Sequence, residues 1–244
     1  MPEVNLGCAS IHYESRGEGP PLLMLLPQSC GPMGLDVLLT GLAQRHLVIT
    51  FDPRGTGRSS ALSEPMSMLE RAADAARVLE AAGVERAHLF CHSTGCGMGL
   101  SIAASEAHLT ASLSLVNPWT WGDPHLAAVQ NLRIAAARAL GPKHYSQFNS
   151  ALLFPPAYRR AHQAGFTQMA QAALSNPQNA DDVQRRLEAI VAFDARTTLA
   201  EIGAPALVVG ARDDQLMPVW FAEEAAGTLP NAKLHVFDSG GHML

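Results

Sequence analysis

Short, strongly apolar runs recur along this chain with alanine-rich, helix-patterned segments between them, and that rhythm limits the available folds more than any other feature. The strand candidates are residues 9–15, 21–27, 46–52, 87–91, 111–116, 206–211 and 233–238. The later runs are apolar on both alternating positions, as parallel strands covered on both faces are. Helical patterns fall at about 65–82, 94–107 and 218–229. The first of these carries apolar residues at Leu69, Ala72, Ala73 and Ala76 and from Leu79 to Val84, and Gly83 stands where a C-terminal stop belongs. The alternation predicts an α/β chain: a doubly wound, mostly parallel sheet with an antiparallel pair at its N-terminal edge.

One interval breaks the rhythm. Residues 120–200 contain no strand-like run, only helical segments separated at Gly141–Pro142, Pro155–Pro156 and Asn176–Pro177. That is too long for a plain crossover. The reading is a core formed by residues 1–119 and 201–244, with 120–200 as an inserted helical cap. Such an insertion leaves the sheet at the carboxyl ends of the strands, where open α/β sheets place their sites. It is expected to act as a lid; a second packing layer with no part in binding is the plainer alternative.

Composition narrows the class. With 244 residues, 48% of them apolar and 16% charged, the chain can bury an ordinary core. A net charge of −5 with no basic stripe argues against a nucleic-acid partner. No run approaches the roughly 18 uncharged apolar residues of a membrane span. The start has no basic segment followed by an apolar one, so no secretory leader is expected. Cys8, Cys30, Cys91 and Cys96 lack metal-type or redox spacing and are expected to be reduced. A soluble, cytoplasmic protein is the expectation.

The chemistry begins at "CHSTG", residues 91–95, where an apolar run gives way to a glycine-rich helix start. Ser93 has small residues, Cys91 and Gly95, two positions away on each side. A strained strand-to-helix elbow needs such neighbours, because those positions press against adjacent strands while the serine is lifted off the sheet. Asp213 and Asp214 follow the 206–211 run, and His242 lies in a glycine-rich loop after the 233–238 run. Singly, these would be a serine in a turn, a helix-capping aspartate and a solvated histidine. Together they give the order serine, acid, histidine, each at a strand's carboxyl end, which is a known order for a nucleophilic triad.

Those residues, together with "FDPRGTGRSS" at 51–60, resemble the α/β-hydrolase superfamily over nearly the whole chain. Within it, "SALLFPPAYRRAHQ" and "RRLEAIVAFDARTTLAEIGAPALVVGARDDQLMP" are similar to aminoacrylate hydrolases of pyrimidine breakdown and to 3-oxoadipate enol-lactonases. The resemblance implies Ser93 as nucleophile, His242 as general base and then acid, and Asp214 as the group that orients the imidazole. The resemblance favours Asp214, which lies four residues before Pro218 as the family's acid does. Asp213 stays open as an alternative, and Asp123 is a more distant one whose plainer role is a helix cap. The oxyanion donors are expected to be the backbone N–H groups of Thr94 and Ser29. Where the family commonly has His-Gly, this chain has Gln28–Ser29, so Gln28 is expected at the oxyanion or the substrate. Trp119, Trp121, Phe148, Phe154 and Phe193, with Met217 beside the acid, are the candidate pocket walls.

"GCGMG" at 95–99 lacks dinucleotide-loop spacing, "GTGRSS" lacks a P-loop lysine, and no histidine pair has metal-ligand spacing. No cofactor or metal is therefore expected. The implied activity is a serine hydrolase opening an ester, lactone or amide-like C–N bond of a small molecule through an acyl-enzyme. C–C hydrolysis on the same triad, and a hydrolase-fold binding protein without turnover, remain as alternatives. Relatives usually carry a helix beyond the histidine loop, whereas this sequence stops at Leu244. Either the sequence is trimmed there, in which case an exposed apolar patch and a mobile His242 are expected, or the loop is held by other means, such as a second copy in a homodimer.

Overall fold

The computed structural model describes residues 2–7, 9–27, 35–62 and 64–244. Its strands are β1 (Glu3–Asn5), β2 (Ser10–Arg16), β3 (Pro21–Leu25), β4 (Leu47–Phe51), β5 (Ala87–His92), β6 (Thr110–Val116), β7 (Ala206–Ala211) and β8 (Ala232–Phe237). They form one sheet in the order β1-β2-β4-β3-β5-β6-β7-β8. β1 and β2 pair antiparallel, β2 joins β4 antiparallel, and every later pairing is parallel. The antiparallel edge is thus built from β1, too short to show as a run, and β2. β3 lies inside, between β4 and β5, because Leu22, Leu23, Met24 and Leu25 are all buried. From β3 the chain crosses to β4 on one side, and from β5 it proceeds outward through β6, β7 and β8 on the other. The reversal opens a crevice at the carboxyl ends of β3 and β5.

Helices cover the two faces unequally. On one face α2 (Met68–Ala81), α3 (Thr94–Ser105) and α9 (Val219–Thr228) pack on Leu23, Leu25, Leu89, Cys91, Leu113, Leu115 and Val208. α2 begins at a capping box in which Ser67 and Glu70 each bond the other's backbone N–H, and it stops just before Gly83, whose φ is +70°. On the opposite face α1 (Asp36–Leu42) covers Leu22, Met24 and Val48 through Leu39. Farther along that second face, Leu207 of β7 and Phe237 of β8 are 45% and 44% exposed.

Between β6 and β7 come α4 (Pro124–Ala139), α5 (Pro142–Leu153), α6 (Pro156–Ala161), α7 (Gln163–Ser175) and α8 (Ala180–Ala192). Proline opens α4, α5 and α6, the first helical position where a missing N–H is harmless. Asp123 caps α4 by accepting from the Leu126 N–H, which is its plainer sequence reading. The base of the insertion is closed by backbone bonds from Gly122 N to Phe193 O at 3.2 Å and from Ala195 N to Thr120 O at 2.8 Å. Among the described residues no helix is long and apolar enough to cross a membrane.

Trp119, fully buried, ties the insertion to the core. Its Nε1–H donates to the Ile190 carbonyl at 3.1 Å, its ring packs on Phe193, and a side chain at Gly97 would collide with it. Replacing Trp119 with alanine is expected to lower the unfolding free energy by about 3–5 kcal/mol. Urea denaturation reads this, and a loss below about 1 kcal/mol would show that the wedge is not needed.

Candidate active site

Ser93 is the residue between the end of β5 and the start of α3, with φ +54° and ψ −121°. For a residue with a Cβ this conformation costs about 1–3 kcal/mol and persists only where the surroundings impose it. Here the Ser93 N–H bonds to Val116 O at 2.9 Å, and the Cys96 N–H bonds back to Ser93 O at 2.7 Å. Gly95 is required, because a Cβ there would run into the Leu25 carbonyl of the neighbouring strand. Cys91, where glycine is usual, is accommodated because its sulfur fills the space left by Gly99. Burial pushes the Cys91 thiol pKa well up, so this cysteine is an inert packing group.

The acid loop follows β7. Asp214 is 2% exposed, and its Oδ1 accepts from the Leu216 and Met217 N–H groups at 2.8 and 2.9 Å. Its Oδ2 lies 2.8 Å from Nδ1 of His242, and Nε2 of the same ring lies 2.7 Å from the Ser93 hydroxyl. A carboxylate only accepts, so Nδ1 carries the imidazole proton, and Nε2 accepts from the serine O–H. The structure therefore brings Ser93, His242 and Asp214 together in one line of hydrogen bonds. Asp213 does something else. Its carboxylate accepts from Ser239 Oγ and from the Gly240 and Gly241 N–H groups, at 2.8, 3.0 and 2.8 Å, and so bends the loop that presents His242.

His242 is not loosely held, contrary to the sequence-based expectation. It is 2% exposed, and its backbone N–H bonds to Leu153 O at the end of α5. Its carbonyl accepts from Asn117 Nδ2 at 2.8 Å and from His92 Nε2 at 2.9 Å. Burial, and then the nearby His242 ring, push the His92 pKa from 6.5 to about 4, so at neutral pH its proton stays on Nε2 and serves as a donor.

Above Ser93 lies a chamber of about 540 Å³ enclosed between the sheet's carboxyl edge and α4, α5, α7 and α8. Thr94, Phe154 and Met217 line it with Ser93 and His242. Thr94 opens α3, where first-turn N–H groups lack intrahelical acceptors and the helix dipole favours negative charge. Trp119, Trp121, Phe148 and Phe193 are not among the lining residues. Trp119 packs in the core with the Phe193 ring tilted against it, Phe148 packs against the core cluster, and Trp121 lies under the Arg196 guanidinium at 4.0 Å. These rings serve packing, Trp119, Trp121 and Phe193 at the insertion's base and Phe148 within α5. Gln28 and Ser29 lie outside the described residues. Among the described residues no group of three or more His, Cys, Asp or Glu side chains is gathered so as to hold a metal ion.

Comparison with known proteins decides the lineage. Residues 21–244 match the family model described as the alpha/beta hydrolase fold. The chain belongs to the α/β-hydrolase fold family. It is 34% identical over 242 residues, 99% of this chain and 91% of the relative, to "Putative carbamate hydrolase RutD" of Azorhizobium caulinodans. A protein of the same name from Variovorax paradoxus is 33% identical over 239 residues, covering 95% of this chain and 89% of the relative. A crystal structure of a hydrolase from Pseudomonas aeruginosa PA01 superposes with a TM-score of 0.86 at 26% identity, over 98% of this chain and 90% of that one. The enol-lactonase from Burkholderia xenovorans LB400 gives 0.86 at 21% identity, over 99% and 93%, a likeness of fold.

For this α/β hydrolase, the sequence pattern does not mark His92 or Asn117, since nothing local to either residue points to a carbonyl more than a hundred positions away. The positive φ of Asn117, +47°, directly after β6, is the one structural sign of a special position. The buried, neutral His92 has a measurable consequence. The unfolded chain protonates this side chain below about pH 6.5, the folded one only near pH 4. Stability is therefore flat above that window and falls as pH drops through it, by up to about 3 kcal/mol from this residue. Urea unfolding of the wild type and of His92→Gln between pH 7 and pH 4 measures it; an equal pH-dependent loss in both would contradict the assignment.

Proposed function

We propose that this protein is a serine hydrolase that opens an ester, lactone or amide-like C–N bond of a small molecule through an acyl-enzyme. The observation that carries the reading is the 2.7 Å contact of His242 Nε2 with the Ser93 hydroxyl, with Asp214 on the far nitrogen at 2.8 Å. Ser93 attacks the substrate carbonyl while Nε2 takes its proton, and the buried Asp214 carboxylate stabilises the imidazolium that forms. The developing oxyanion takes the Thr94 N–H at the head of α3, and a second donor comes from the loop after β3, which we assign to Ser29. Nε2–H then protonates the leaving group as the tetrahedral adduct collapses. A water molecule, activated by the same nitrogen, releases the acid and regenerates Ser93. Every proton passes through one imidazole, so the reaction needs no group beyond these side chains and water. Residues 120–200 act as the lid that screens the adduct from bulk water.

The relatives' printed name, a carbamate hydrolase, favours a C–N bond, and the chamber volume suits a substrate of small-metabolite size. A serine-directed fluorophosphonate is expected to add to Ser93 and to no other serine, as located by peptide mass spectrometry. Asp214→Asn is expected to reduce kcat by about 10⁴-fold, because the wrong imidazole tautomer is then favoured. A folded wild-type protein left unlabelled at Ser93 would favour a binding module over an enzyme.

A further inference from the structure

Three arginines converge on the chamber from different parts of the fold: Arg71 of α2, Arg133 of α4 and Arg186 of α8. No aspartate or glutamate is among the described residues that line it. Arg71 is only 7% exposed, and its Nη2 is buried without a hydrogen-bond partner. The acids on its own helix are engaged elsewhere. Asp74 accepts two bonds from Arg54, at 2.7 and 2.8 Å, and Glu70 belongs to the capping box. Arg133 is held by two neutral oxygens, Asn149 Oδ1 at 3.0 Å and Gln130 Oε1 at 2.9 Å. Arg186 bonds to Gln178 Oε1 at 3.0 Å, while its nearest acid, Asp182, is bonded to Arg185. The neutral partners of Arg133 and Arg186 orient those groups without neutralising them, and Asp74 and Glu70 near Arg71 and Asp182 near Arg186, each bonded to another group, offset the positive charge only in part.

Such an arrangement is unfavourable in an empty chamber. Burial weakens the hold of all three on their protons, and the charge of Arg186 acts against both Arg71 and Arg133. Buried charges are ordinarily paired, and here the missing counter-charge has a cavity in which to bind. Arginine stays charged in any case, so the remedy is an anion rather than deprotonation.

We propose that Arg71, Arg133 and Arg186 form an oxyanion-binding subsite, so that the substrate carries a carboxylate or phosphate group away from the bond that Ser93 attacks. The inference rests on the serine-hydrolase reading and adds a substrate class to it. Because Arg71 comes from the core, and Arg133 and Arg186 from the inserted helices, a bound anion would also fasten the insertion over Ser93. Guanidinium forks match both oxyanions through paired, charge-assisted hydrogen bonds.

The test compares three activated esters of similar length: 4-nitrophenyl hydrogen glutarate, 4-nitrophenyl 4-phosphonobutanoate and the neutral methyl 4-nitrophenyl glutarate. The expected result is a kcat/KM at least about 10-fold higher for one or both anionic esters, the larger value identifying the oxyanion. In Arg71→Met and Arg186→Met that anionic-to-neutral ratio should fall by about 10- to 100-fold. Removing one of three repelling charges should leave the thermal midpoint of the unliganded protein unchanged or higher, whereas a structural role for the arginines requires it to drop. Calorimetric titration of the wild type and Arg186→Met with glutarate and with inorganic phosphate gives a readout independent of turnover; binding by the wild type, weakened in the variant, is expected. Turnover of the neutral ester with no anionic preference, or a ratio unmoved by both substitutions, overturns the subsite and leaves the hydrolase reading intact. Anion binding without turnover or Ser93 labelling overturns the hydrolase reading and leaves the subsite. Failure of glutarate and phosphate to bind the wild type overturns the subsite on its own.

Discussion

Everything at this site depends on one imidazole reaching two partners at once. His242 must meet a carboxylate from the loop after β7 and a hydroxyl from the loop after β5, strands separated in the sheet by β6. The sheet solves most of this geometry, because parallel strands deliver their following loops to a common edge. The remainder falls to a short glycine-rich loop, and a glycine-rich loop has no position of its own. Asp213 bends it through two backbone N–H groups, Asn117 and His92 hold its carbonyls, and Leu153 accepts its N–H from the inserted helices. The adjacent aspartates therefore act on the same loop in different ways, one on the backbone and one on the ring.

The strain at Ser93 belongs to the same design. A positive φ at a residue with a side chain survives because β3 and β6 close in on both sides, leaving Gly95 against the Leu25 carbonyl and the Ser93 N–H on Val116. The elbow lies beside the point where the chain reverses its direction of travel across the sheet. There a crevice opens at the strands' carboxyl ends, and the insertion after β6 roofs it. Its floor carries the hydroxyl and the imidazole, while its walls carry three arginines and, among the described residues, no acid.

The sequence is readable where a residue's role is local. Strands buried on both faces show as apolar runs, proline and glycine mark the helix boundaries of the insertion, and small residues around Ser93 announce a turn. β1 and α1 leave no such trace: one has three residues, the other is a short helix of seven with one buried side chain. Role assignment fails where the decisive contact is remote. Trp119 and Phe193 look like pocket walls because they leave the sheet at its active edge, yet large rings at the base of an insertion fill the core more effectively than they line a cavity. Arg71, Arg133 and Arg186 carry no local signal at all, and only the assembled fold shows that they share one chamber whose described lining holds no aspartate or glutamate. The resemblance favours Asp214 over Asp213, but the division of labour between them required coordinates.

The tautomeric state of His242 tests the central claim most directly, because the chain of bonds works only with the ring proton on the side of Asp214. Histidine-selective ¹⁵N NMR of the resting protein at neutral pH is expected to show His242 with Nδ1 protonated and Nε2 bare, and to show that preference lost in Asp214→Asn. A ring with its proton on Nε2 in the wild type, indifferent to the loss of the carboxylate, would contradict the account.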